Sequence, residues 1–102
     1  MEKAVQDKLN ELQEICKKNN VAELYLFGSA AGGLSNGNSD LDFAVVLKEG
    51  LSPIEHGDSF ISLLFALQDL FDREIDLVSY RVVKNPIFKQ ELDKTKVSLY
   101  AA

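Results

Sequence analysis

A chain of 102 residues that is 46% hydrophobic fits one small domain (residues 1–102) with a modest core. Its formal net charge of −5 argues against sequence-specific DNA binding. The single cysteine, Cys16, excludes an internal disulfide; no apolar run would span a membrane and the charged N-terminus lacks a signal core, so a cytoplasmic location is expected.

Residues 2–18 are expected to form one amphipathic helix, because Val5, Leu9, Leu12 and Cys16 recur at helical spacing. Cys16 reads as a buried apolar residue. Val21–Phe27 is the first expected strand, 30–34 a short helix or turn, and 35–39 a loop by composition. Leu41–Leu47 is the second strand, apolar enough to be buried on both faces. Ser52, Pro53 and Glu55 predict a helix start with a capping box. Phe60, Leu63, Leu64, Leu67, Leu70 and Phe71 give that helix an apolar stripe. His56, in its first turn, reads as a surface residue. A third strand is expected over Glu74–Ser79, a helix capped at Asn85 and running to about Asp93, and a last strand over Lys96–Tyr100. The fold class is α/β (α+β in some schemes), a small mixed sheet flanked by helices.

The stretch Leu24–Val46 carries the chemistry. Asp40 and Asp42 stand at the start of the second strand, two residues apart, so both carboxylates face one side about 7 Å apart. Two like charges in an apolar strand repel, and a divalent cation relieves them; oxygen ligands suit Mg2+ or Mn2+. If the third strand pairs beside the second, Asp76 joins them, and three carboxylates suit two-metal phosphoryl transfer. Gly28-Ser29, where the first strand stops, offers backbone N–H groups, a hydroxyl and close approach for a phosphate. The combination describes a nucleoside triphosphate pocket. It is not a Walker A loop, since Leu34-Ser35 stands where Lys is required. A calcium loop is disfavoured by Leu41 at the glycine position and Leu47 at the closing glutamate. The alternative is that the acids merely protect a strand edge.

Gly28-Ser29, Gly33, Ser39-Asp40-Leu41-Asp42 and Asp76 together resemble the DNA polymerase β-type nucleotidyltransferase superfamily. In length the chain is similar to its minimal nucleotidyltransferases, or MNT domains. The resemblance implies metal binding and catalysis at Asp40, Asp42 and Asp76, with nucleotide contacts at Gly28, Ser29, Gly33 and Ser39. It implies ATP or another NTP as substrate, Mg2+ or Mn2+ as cofactor, and transfer of NMP to an acceptor hydroxyl. It further implies a HEPN-domain partner, with this chain as an antitoxin that adenylylates a tyrosine. One position departs from the pattern: the turn often carries arginine where this chain has Gly32. The second reading is therefore a module that keeps the fold and neutralises a partner by contact. Arg73, Arg81 and Lys84, which flank the third strand, are the expected substitutes for the missing charge.

Overall fold

The structure is a computed structural model and describes residues 1–28, 30–32 and 40–102. Helices α1 (Lys3–Gln6) and α2 (Leu9–Lys18) precede strands β1 (Val21–Phe27) and β2 (Leu41–Leu47). Helix α3 (Pro53–Phe71), strand β3 (Ile75–Ser79), a 3-10 turn (Tyr80–Val82), helix α4 (Pro86–Thr95) and strand β4 (Val97–Ala101) follow. The strands lie in the order β3-β2-β1-β4. β2 runs antiparallel to β1 and parallel to β3, and β4 is antiparallel to β1. The mixed sheet flanked by helices is as the sequence predicts.

Strand alternation decides what each face carries. Leu24 and Leu26 of β1, with Leu41, Phe43, Val45 and Leu47 of β2, enter one core with Leu12 and Cys16 of α2 and Leu63, Leu67 and Phe71 of α3. Each fully buried leucine contributes about 1.5–3 kcal/mol relative to exposure. The intervening residues turn to the opposite face, where Phe27 and Ala44 pack with Leu92 of α4. Asp42, between Leu41 and Phe43, is thereby aimed at the α4 side of the sheet.

The helix caps form as expected. Glu55 N–H donates to Ser52 Oγ at 3.1 Å, and Ser52 N–H donates to Glu55 Oε1 at 3.1 Å. Asn85 Oδ1 accepts from Ile87 N–H at 3.0 Å and Phe88 N–H at 3.2 Å. The expected continuous helix over 2–18 is instead broken at Asp7–Lys8. Long-range anchors on either side account for the break: Lys8 Nζ donates to Leu70 O at 2.7 Å, and Glu2 pairs with Arg73. Ala30–Gly32 form a turn, closed by Gly32 N–H donating to Gly28 O at 3.3 Å.

Candidate active site

β2 and β3 bring the predicted carboxylates together. Asp42 and Asp76 are direct neighbours in the parallel register, and Phe27, the last residue of β1, lies across from Asp42 on the other side. Asp40 immediately precedes β2 and is exposed, as is Asp76, while Asp42 is half-buried. Asp42 is pushed above the ordinary carboxylate range first by burial, then by the negative charges of Asp76 and Asp40. Both neighbouring acids therefore act electrostatically on Asp42.

Gly28 completes this edge. It has φ +75°, a conformation that favours glycine, and a Cβ there would stand 2.6 Å from Asp42 Oδ2. The chain reverses out of β1 directly against the carboxylate. Gly28 N–H donates to Thr95 Oγ1 at 3.3 Å, and that hydroxyl donates to Glu91 O at 2.9 Å. The end of α4 is thus tied to the turn. Thr95 carries no signal in the sequence, since it lies 67 positions from Gly28 and ends an ordinary helix. The remaining predicted contacts, Ser29, Gly33 and Ser39, lie outside the described residues.

The donor set suits a hard divalent cation: oxygen only, on adjacent strand positions, with Asp42 raised first by burial and then by neighbouring negative charges that a cation would offset. Among the described residues, no three His, Cys, Asp or Glu side chains form a ready cluster for an ion. A cleft next to Asp40 is lined by Glu2, Ala4, Phe71, Asp72, Arg73 and Glu74 rather than by Asp42 and Asp76. Of the flanking cations, Arg73 pairs with Glu2, while Arg81 lies 3.7 Å from Glu49 and Lys84 is exposed.

A four-stranded mixed sheet with paired acids at the start of one strand, a third on its parallel neighbour and a glycine turn against them has the architecture of a nucleotidyltransferase-type fold. The family model described as polymerase beta, nucleotidyltransferase matches residues 10–102, and the chain belongs to that family. It is 27% identical over 94 residues to a candidate protein adenylyltransferase of Methanocaldococcus jannaschii, covering 84% of this chain and 92% of the relative. Among solved structures it is similar to a toxin–antitoxin complex crystallised with AMP-PNP, with TM-score 0.69, 26% identity, and coverage of 92% of this chain and 73% of the other. The structure of a candidate minimal nucleotidyltransferase matches with TM-score 0.68 and 22% identity over 95% of both chains. No helix among the described residues is long and apolar enough to cross a membrane.

Proposed function

We propose that this protein is a minimal nucleotidyltransferase that transfers AMP from ATP to a hydroxyl on a partner protein. The observation that carries this reading is the adjacency of Asp42 and Asp76, with Asp40 acting on the same carboxylate and Gly28 opening space beside it. The relative described as a protein adenylyltransferase and the AMP-PNP complex support the nucleotide and the class of acceptor.

Asp40, Asp42 and Asp76 would hold Mg2+ or Mn2+, which supplies charge neutralisation on the phosphates. Asp76, exposed at the sheet edge, takes the proton of the acceptor hydroxyl. The acceptor oxygen bonds to the α-phosphorus, and the bond from that phosphorus to the pyrophosphate oxygen breaks. Gly28 and the turn that follows, Ser29 included, position the phosphates. The acceptor proposed is a tyrosine of a HEPN-domain partner, which makes the chain an antitoxin of the cytoplasm.

Gly32 in the turn favours a second reading, in which the domain binds its partner and transfers nothing. Calorimetric titration of ATP with and without Mg2+, on the wild type and the Asp40→Ala/Asp42→Ala variant, separates the two. Metal-dependent binding lost in the folded variant supports transfer. Absence of binding in the wild type supports the contact reading.

A further inference from the structure

We propose that Phe88 is the platform on which the base of the bound nucleotide stacks. The inference rests on the nucleotide site proposed above and assigns a part of it that the acids and the turn leave open.

Phe88 lies in the first turn of α4, with its backbone N–H held by the Asn85 cap. Its ring sits against Phe27, centroids 5.8 Å apart and planes at 65°, an edge-to-face contact. Phe27 is the cross-strand partner of Asp42 and the residue before Gly28. One contact therefore separates Phe88 from the carboxylate row and from the turn. Phe88, Leu92 and Thr95 follow each other along one flank of α4 at helical spacing. Leu92 is buried against the sheet and Thr95 holds the Gly28 amide, so that flank is fixed beside the site. At its free end Phe88 stays 37% exposed although it adjoins Phe27, which is only 7% exposed. A large apolar ring kept in water at the rim of a polar site is suited to a ligand with an apolar face.

The other aromatic side chains on this side of the sheet are engaged. Lys96 Nζ lies 5.0 Å from the Tyr25 ring centroid and 4.8 Å from that of Tyr80, and Lys89 Nζ lies 5.3 Å from Tyr80. Tyr80 O–H also donates to Asp93 at 2.6 Å. These cation–π contacts use the faces that a base would need. With phosphates at the Gly28 turn and acids, the part of a nucleotide left to place is its flat heterocycle, and Phe88 is the ring beside it.

The chain contains no tryptophan, so Phe88→Trp introduces a single indole at the proposed contact, which can be excited at wavelengths where the three tyrosines do not absorb. Mg–ATP is expected to quench that indole, and Mg–tripolyphosphate, which has no base, to leave it unchanged. By calorimetry, Phe88→Ala is expected to weaken Mg–ATP roughly ten-fold or more, with Mg–tripolyphosphate affinity unaltered and Phe88→Trp retaining ATP. Circular dichroism confirms that both variants fold. Equal losses for both ligands would reduce Phe88 to a structural role and overturn the proposal. Unchanged ATP affinity in Phe88→Ala, while Asp42→Asn abolishes binding, would overturn the platform and leave the nucleotide site standing. No ATP binding by the wild type would overturn both.

Discussion

Gly28 and Asp42 are fitted to each other: Asp42 Oδ2 lies 2.6 Å from where any other residue at position 28 would carry its Cβ, closer than such atoms pack. Gly28→Ala meets two penalties, the contact at 2.6 Å and the positive φ. A non-glycine residue in such a conformation costs on the order of 1–3 kcal/mol. The variant is expected to lose about that much stability in urea denaturation. It is also expected to lose Mg–ATP binding, because the Asp42 side chain must move. A Gly28→Ala protein that binds ATP like the wild type would show that Asp42 has room to turn away without consequence.

The raised pKa of Asp42 makes a signed prediction for the metal-free protein. Folding binds the Asp42 proton more tightly than the unfolded chain, whose value is near the ordinary 3.8. The corresponding stability is fully present below that pH and is lost as pH rises through the higher folded value. Asp76→Asn removes one of the charges that raise it. This variant is expected to be more stable than the wild type at pH 7, by on the order of 0.5 kcal/mol for partly exposed charges. The difference should vanish below the ordinary carboxylate range. Adding Mg2+ should stabilise the wild type and not the variant. Thermal melts across pH read both effects; a variant less stable than the wild type at pH 7 would contradict the repulsion.

Thr95 is a positioning residue for the same turn. Thr95→Val keeps the shape of the side chain and removes the hydroxyl that accepts from Gly28 N–H. Loss of one such hydrogen bond is worth about 0.5–1.5 kcal/mol. Mg–ATP affinity is expected to fall, with Thr95→Ser restoring it. Identical affinities in Val and Ser variants would remove Thr95 from the site.

Much of this arrangement is legible in the chain. Val21–Phe27 and Leu41–Leu47 have the bounds expected of them, because two mostly apolar runs, each broken by a single acid (Glu23, Asp42), end at Asn20, Gly28 and Lys48 and leave few alternatives. Asp40 and Asp42 are read from their two-residue spacing, and Asp76 joins them only on the condition that the third strand pairs beside the second; the structure makes that pairing, in parallel, and places Asp42 beside Asp76. What local sequence does not carry is contact over long separations. The break at Asp7–Lys8 comes from partners at Leu70 and Arg73. Phe88 and Thr95 look like ordinary residues of a short amphipathic helix. Only the packing of α4 on Phe27 and Gly28 brings them beside the end of β1.

Cys16 tests the depth of the α2 core. It is fully buried, and burial pushes its thiol up to about 12. At pH 8 the thiolate fraction in the native protein is therefore on the order of one in ten thousand, and the thiolate is the reactive form. Iodoacetamide is expected to spare the native protein and to label it fully in urea. Because folding raises this pKa, the associated stability persists below the ordinary thiol value and is lost as pH climbs toward 12. Rapid native labelling at pH 8 would mean that α2 opens from the sheet.

The ion pair between Glu2 and Arg73 anchors the N-terminus to the turn before β3, and both side chains are largely buried, at 8% and 13% exposure. Glu2 N–H also donates to Ala30 O at 2.8 Å, so the same residue joins the start of the chain to the turn after Gly28. Glu2 Oε2 is buried without a hydrogen-bond partner among the described residues, which lowers what the pair returns for its desolvation. Removing one member of such a pair still leaves the other charge in a poor environment. Glu2→Ala is expected to cost about 3 kcal/mol, at the lower end for buried pairs because Arg73 has a further interaction. Glu2→Gln keeps a hydrogen-bond acceptor and should cost less. In urea the midpoint of Glu2→Ala should fall with an unchanged slope, since the amount of surface exposed on unfolding is the same. A midpoint equal to that of the wild type would show that the bridge holds position without contributing stability, and that the burial of Val5 suffices to keep α1 on the core.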